Sequence, residues 1–441
     1  MALNHAILRK LLWQCPTADQ IKTWWLAYSG GVDSQVLLHL LSQIEGLNIR
    51  AVYIDHGLQA DSSDWANHCA HSCQQLNIPF QSVSVNAKAE SGESPEAAAR
   101  HARYTQLSKL IGPDDCLLTA QHQDDQAETL LLQLIRGAGA AGLAAMPFCT
   151  RFSQGWHLRP LLGFSRQDIL DFAREHQLAW VEDPSNQDER YDRNFLRNCL
   201  MPMLRQRWPS ASHSLSRAAE LQAENASLLE QLAEQDALLI ETQQGALKIE
   251  GMQALDEMRQ RNVLRYWIRQ QGYGLPSRAI LQQIQQQMLH GRDDASPQVA
   301  WSQAEMHRYK GQLHLIPAKQ HDSAQVFPWD GRQALALPSL CQQLIMQPVM
   351  GQGLDEVYLD DLTIRFRTGG ESIKPAGRRE THSLKKLLQE AKVPPWLRQR
   401  IPLLYQKDQL IAVVGYWIAE GYQVAANKTG QMPVLQPMDI Q

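Results

Sequence analysis

Two short runs concentrate the chemistry of this chain. Ser29-Gly30-Gly31-Val32-Asp33-Ser34 joins the apolar segment Trp24–Tyr28 to a helical pattern that begins near Ser34. Strand, glycine turn and helix start, in that order, aim backbone N–H groups and a positive helix end at one point, which suits an anion. Gly30 and Gly31 permit close approach of a ligand, while Ser29 and Ser34 add hydroxyl donors. The loop lacks the Lys-Ser/Thr pair of a Walker A sequence, which disfavours a kinase-like γ-phosphate site. An ordinary strand-to-helix turn is the plain alternative, but it has no need of two serines and an aspartate.

The second run is His122-Gln123-Asp124-Asp125-Gln126-Ala127-Glu128-Thr129, opening a helix that continues through Leu130–Leu132. Asp125 and Glu128 are three apart, so both carboxylates can project from one face. Acids in a first turn also suit the helix dipole. That explains one or two of them, but not His122, Asp124, Asp125 and Glu128 together. Paired carboxylates can bind an ammonium group, hold Mg²⁺ or take a proton from an amine nucleophile. Asp33 is the other natural Mg²⁺ ligand. Further on, Glu182-Asp183-Pro184-Ser185-Asn186 reads as a polar turn. Arg193 and Arg197, with Arg190, Arg205 and Arg207, either line a phosphate path or decorate a solvated helix face; both readings stay open.

The elements that must position these groups are legible. Residues 1–215 alternate strand and helix patterns, the sign of an α/β domain with a parallel sheet. Strands are expected at 24–28, 49–54, 80–85 and 116–120, with helices near 34–44, 62–76, 95–110 and 124–136. The runs at Ser29–Ser34, Asp55-His56-Gly57 and His122–Glu128 all follow strand ends, where ligand crevices of such sheets lie. Residues 210–240 read as one long amphipathic helix, with 216–242 as linker helix. A mostly helical domain is expected at 243–316, a Gln- and Pro-rich linker at 317–352, and a small α+β domain at 353–433.

Net charge is −4, so the whole chain is no basic nucleic-acid sponge. Residues 364–400, however, carry ten Lys or Arg against three Glu, a local excess that suits phosphate. Within it lie Lys374, Arg378, Arg379, Lys385, Lys386, Trp396 and Arg398, basic groups interleaved with an aromatic as RNA binding favours. A solvated surface is the alternative. Seven scattered cysteines fit reduced cytosolic thiols. Cys69 and Cys73, beside His68 and His71, read as buried helical thiols rather than metal ligands. No signal-peptide layout or membrane-length apolar run occurs, which points to a cytoplasmic protein without membrane contact.

The Ser-Gly-Gly-x-Asp-Ser loop resembles that of the N-type ATP pyrophosphatases (PP-loop enzymes), which cleave ATP to AMP and pyrophosphate. The fuller set resembles the bacterial tRNA(Ile)-lysidine synthetases: Ser29–Ser34, Asp55–Leu58, Glu96–Tyr104, His122–Thr129, Glu182–Asn186, Arg193–Arg197 and the Lys374–Leu404 tail. The resemblance implies a Rossmann-like PP-loop domain followed by two tRNA-binding domains. It implies adenylation of the C2 oxygen of the wobble cytidine in a CAU-anticodon tRNA, then displacement of AMP by the lysine ε-amine to give lysidine. It places ATP at Ser29, Gly30, Gly31, Val32, Asp33, Ser34, Asp55 and His56, with Mg²⁺ at Asp33. Lysine falls to Asp125 and Glu128, with His122 and Asp33 catalytic beside them. The tRNA falls to Arg100, Arg103, Arg193, Arg197 and the basic tail residues above. Homodimer formation stays open. The nearest rival is a PP-loop tRNA thiolase, but the chain has no Cys-x-x-Cys. A small-molecule amidotransferase-type ligase would leave the basic tail unexplained, and a catalytically silent RNA-binding protein would leave Asp33, Asp125 and Glu128 unexplained.

Overall fold

Apolar runs without alternation, such as Trp24–Ala27, must be covered on both faces. In the computed structural model they are. The structure describes residues 3–55, 62–85, 95–242, 245–291, 297–302, 304–318, 322–340 and 342–437. Two compact units divide the chain, Met1–Gln231 and Leu232–Gln441.

The first unit is built on β1 (Thr23–Ala27), β2 (Ile49–Asp55), β3 (Phe80–Ser84), β4 (Asp115–Leu118), β5 (Cys149–Phe152) and β6 (Gly155–Leu158), in the order β3-β2-β1-β4-β6-β5. All neighbours are parallel except β5, which is antiparallel to β6. The helices are α1 (His5–Leu12), α2 (Val32–Ser42), α3 (Ser62–Gln75), α4 (Pro95–Leu110), α5 (Gln123–Ile135) and α6 (Arg166–Glu175). One face of the sheet buries Leu26, Leu118 and Leu158 with Leu37 and Leu41 of α2. The other buries Trp25, Val52 and Leu117 with Leu107 of α4. β1 leads out to β2 on one side and borders β4 on the other, so the strand order reverses there, the place beyond whose strand ends such sheets bind ligands.

The expected strands and helices up to residue 136 are all present, shifted by a residue or two. The hairpin of β5 and β6 was not expected. Its strands are four residues long and mix Thr150, Arg151, Trp156 and His157 among apolar positions, so neither period shows. After α6 come α7 (Asp192–Phe195), a π-turn (Leu196–Leu200), α8 (Met201–Arg207) and the long α9 (Ala211–Ile240), matching the helix read at 210–240.

In the second unit, α10 (Glu257–Gln270) and α11 (Arg278–Ile284) start at the capping side chains of Asp256 and Ser277. They pack Trp267 and Ile284 against an antiparallel sheet of β7 (Leu247–Lys248), β8 (Gln298–Trp301), β9 (Ala304–Tyr309) and β10 (Gln312–Pro317). The two-residue hairpin turn joining β9 to β10 puts Lys310 at φ 48° and Gly311 at φ 74°, as its backbone twist demands. Residues 317–352, expected to be a linker, contain β11 (Phe327–Trp329), β12 (Leu335–Leu337) and β13 (Gln342–Met350). Their buried residues Trp329, Leu337 and Leu344 stand singly among Gln and Pro, so composition hid the strands. β14 (Leu362–Arg365), the short pair β15 (Ser372–Ile373) and β16 (His382–Ser383), α12 (Leu384–Glu390) and α13 (Pro395–Arg398) follow. The chain closes with β17 (Leu403–Gln406), β18 (Gln409–Val413), β19 (Trp417–Ile418) and β20 (Thr429–Pro437), and β13 pairs along β20. Among the described residues no helix is long and apolar enough to cross a membrane.

Gly155 opens β6 where a Cβ would press on the carbonyl oxygens of Asp115 and Gly112, backbone atoms that cannot swing aside. Gly155→Ala is expected to cost about 1–3 kcal/mol. Urea unfolding checks this: the midpoint should fall with the slope unchanged.

Candidate active site

The glycine turn is built as its sequence requires. Gly30 takes φ 77°, and Gly31 is the N-cap of α2. The Ser29 N–H donates to Ser34 Oγ at 3.2 Å, the two hydroxyls lie 3.1 Å apart, and Ser34 Oγ donates to the Gly31 carbonyl at 3.0 Å. The Gly30 carbonyl accepts from the Val181 N–H at 2.9 Å, pinning the turn from behind. A Cβ on residue 30 would lie 3.0 Å from Cys69 Sγ, so glycine is needed for space as well as for backbone angle. Burial pushes the Cys69 and Cys73 thiols up to about 12; they are inert packing beneath the turn.

Asp33, in the first turn of α2, faces two partners. Arg166, the first residue of α6, donates through Nη1 to both its oxygens at 3.2 and 3.3 Å. His122 Nε2 lies 3.7 Å from Asp33 Oδ1 and 3.4 Å from Asp125 Oδ2. The imidazole is 1 % exposed and caps α5, its Nδ1 accepting from the Asp125 N–H while the His122 N–H donates to Asp125 Oδ2 at 3.1 Å. One buried ring therefore ties the start of α5 to the start of α2.

The remaining acids are matched to arginines. Asp125 Oδ1 accepts from Arg193 Nη2 at 3.1 Å and Arg197 Nη2 at 2.7 Å. Glu128, 2 % exposed, accepts from Arg193 Nε at 3.2 Å and from Arg197 through two parallel bonds at 2.8 and 2.9 Å. Residues 193 and 197 are four apart across α7 and the π-turn, so both guanidiniums reach one face of α5. Asp124 accepts from the Arg166 N–H at 2.7 Å, the Ser212 hydroxyl at 2.7 Å, and Arg205. Burial opposes ionisation of Asp124, but Ser212, the Arg166 N–H and the Arg205 charge outweigh it and hold the carboxyl below its usual range. Burial likewise opposes ionisation of Asp125, and His122, Arg193 and Arg197 together outweigh it in the same direction.

Such a cluster can orient a cationic group by exchange and can hold a carboxylate ready to accept a proton. The sequence reading placed Arg193 and Arg197 on tRNA, whereas their guanidiniums here are engaged by Asp125 and Glu128. Arg166 and Ser212 were not anticipated. No motif marks them, because they reach the site from separate elements. Asp55 ends β2, with an interaction of its own. His56 lies outside the described residues. Arg100 and Arg103 are both on α4, with the Arg100 guanidinium 4.9 Å above the Tyr104 ring.

In the tail, Lys385 and Lys386 are exposed on α12, whose N-cap Ser383 makes no side-chain capping bond. Arg379 is exposed and Lys374 half-buried. Arg378 pairs with Glu390 at 3.0 Å, and Arg398 Nε donates to the Val393 carbonyl at 2.9 Å. Trp396, read as a surface for a base, instead stacks on His307 with centroids 4.4 Å apart and meets Tyr309 edge-on. It joins α13 to β9 within the second unit.

The family models and the curated relatives agree on one family. A PP-loop domain model matches residues 4–204, a TilS substrate binding domain 247–314, and a TilS substrate C-terminal domain 362–434. The tRNA(Ile)-lysidine synthase of Coxiella burnetii is 43% identical over 97% of this chain and 96% of its own length. That of Methylococcus capsulatus is 41% identical over 92% and 94%. Among solved structures, a U34-tRNA thiolase from Methanococcus maripaludis is 19% identical with a TM-score of 0.41, covering 50% of this chain and 78% of its own.

Because Asp124 and Asp125 have depressed carboxyl pKa values in the fold, their stabilisation is complete above the unfolded value of about 3.9 and is lost as pH falls through the lower folded values. Asp124→Asn should therefore lower stability at pH 7 by roughly 3 kcal/mol and flatten the acid limb below pH 4. Urea midpoints measured from pH 7 to pH 3 check both effects; parallel curves for variant and parent would refute the linkage.

Proposed function

The chain belongs to the tRNA(Ile)-lysidine synthase family, and from that membership we propose how its crevice divides the work. It is a PP-loop ligase that uses ATP and acts on tRNA. The thiolase alternative is not favoured, since full-length relatives are lysidine synthases.

On this reading the turn Ser29–Ser34 receives the phosphates of ATP at the start of α2. The C2 oxygen of the wobble cytidine in a CAU anticodon attacks the α-phosphorus, and pyrophosphate leaves. Adenylation converts a poor leaving group into AMP. The lysine ε-amine then attacks C2, AMP departs, and lysidine remains, which pairs with A rather than G. Asp33 is part-exposed beside the phosphate turn and would supply the hard oxygen ligand Mg²⁺ prefers, the ion taking the place of Arg166 Nη1, which donates to both its oxygens. Mg²⁺ characteristically takes one or two carboxylates plus substrate phosphates, so Asp33 fits as its protein ligand. When bound, the ion would offset phosphate charge.

Lysine must arrive as an ammonium and react as an amine. Asp125 and Glu128 receive it, and the observation that carries this role is their burial as a carboxylate pair facing cations. Because Arg193 and Arg197 already hold that pair, the ammonium enters by exchanging for part of the guanidinium contact. Swapping one cation for another leaves the buried charge balanced, so the desolvated carboxylates are never exposed unpaired. The exposed lysines of α12 supply contacts to the tRNA backbone.

Purified protein incubated with CAU-anticodon tRNA, Mg-ATP and labelled lysine should incorporate lysine into the tRNA; sulfur transfer with no lysine would overturn the reading. Asp125→Asn should raise the lysine KM at least about tenfold, or 1.4 kcal/mol, while ATP binding changes little. Equal losses for both substrates would remove Asp125 from the lysine site. Separately, Lys385→Ala combined with Lys386→Ala should weaken tRNA binding and reduce the salt slope of log K by roughly one to two. A slope identical to the parent's excludes α12 from the tRNA contact.

A further inference from the structure

Arg159 stands apart from the arginines of the carboxylate cluster. It lies immediately beyond β6, is 6 % exposed, and donates Nη1 to the Pro147 carbonyl at 2.7 Å and Nη2 to His157 Nδ1 at 3.2 Å. Its Nε–H is buried and meets no acceptor among the described residues. Since a guanidinium only donates, His157 Nδ1 is the acceptor, and the ring proton sits on Nε2. Nε2–H then donates to Thr119 Oγ1 at 2.7 Å, leaving the Thr119 hydroxyl to donate to Gln121 Oε1. Burial, with the charges of Arg159 and Arg100, pushes His157 down to about 3, so the ring stays neutral and serves as a brace.

The surroundings of this brace are cationic. Arg100 faces both His157 and Arg159, stacks over Tyr104, and Tyr104 in turn sits 5.9 Å from the His157 ring. Arg103 brings a further positive charge close to Arg100. Among the described residues, the charged groups that act most strongly on Arg159 and His157 are Arg100, Tyr104 and Cys149, besides each other. A buried guanidinium N–H without an acceptor among the described residues is costly, and the unpartnered Nε–H of Arg159 suits a phosphate oxygen. Thr119 and Arg159 follow the ends of β4 and β6, neighbouring strands, and β4 borders the strand that leads to Ser29. The cluster therefore lies at the same row of strand ends as the glycine turn.

We propose that Arg159 and Arg100, held by His157 and Tyr104, form a second phosphate-binding subsite at the β4–β6 end of the crevice, separate from Ser29–Ser34. The inference rests on the proposed function, in which nucleotide and RNA meet in this crevice. The phosphate comes either from ATP or from the tRNA backbone beside the anticodon, and the two sources are separable by experiment.

Full-length Arg100→Gln and Arg159→Lys proteins would be compared with the parent for thermal unfolding, tRNA Kd against salt, and the KM values for ATP and lysine. Lysine incorporation by the parent tests the function itself, independently of the variants. Arg100 is on the exposed side of α4, so Arg100→Gln remains informative if substitution at the buried Arg159 unfolds the protein. A tRNA Kd raised at least about fivefold, with the salt slope reduced by roughly one, assigns the subsite to an RNA phosphodiester. A similar rise confined to the ATP KM assigns it to the nucleotide. Unchanged values for both, or an effect on the lysine KM alone, would overturn the phosphate subsite.

Discussion

The carboxylate–guanidinium lattice at the start of α5 is the constraint on which the site depends. Asp125 and Glu128 hold Arg193 and Arg197, Asp124 holds Arg205 and the start of α6, and His122 reaches Asp33 on α2. Three stretches far apart in sequence, the start of α2, the start of α6 and the run from α7 to α8, thus meet at one helix end. Each acid is buried enough that losing its partner would leave a desolvated charge, whereas replacing one cation by another would not. That asymmetry fixes the geometry while leaving the occupant exchangeable.

The backbone contributes a constraint of a different kind. Gly30 works at a positive φ with Cys69 directly behind it, and Val181 closes the turn from the other side. The loop is held by packing and main-chain bonds, so its N–H groups need no charged side chain to keep their aim. On the proposed reading phosphate is gripped there while Asp33, Asp124, Asp125 and Glu128 are engaged by arginines.

Much of this was legible from the chain because local chemistry carries it. The order strand, Gly-Gly turn, helix required nothing beyond residues 24–41, and the acids of 122–128 announced a polar helix start. Periodicity placed α4 at 95–110 and α9 at 210–240 for the same reason. What escaped notice depends on distant pairs. Arg193 and Arg197 show their charge in sequence but not their partners, 65 to 72 positions away. Trp396 looked like a free aromatic in a basic tail until β9 supplied His307 beneath it. The strands at 327–350 were hidden because their buried residues, Trp329, Leu337 and Leu344, stand singly in a stretch rich in Gln and Pro.

Pairing the acids also resolves an electrostatic conflict in the proposed chemistry. A bare carboxylate about 4 Å from a phosphate oxygen would face a repulsion of about 4 kcal/mol at an effective dielectric near 20. Several such acids beside a triphosphate would expel it. Arg166, Arg193, Arg197 and Arg205 cancel that repulsion before any substrate arrives, and a lysine ammonium taking over part of one pair preserves the balance. Once the ammonium proton has passed to water, directly or through a carboxylate of the pair, the pair would regain a net negative charge, which draws the displaced guanidinium back. The same arginines that shield phosphate from the acids would thereby favour release of the amine toward its electrophile.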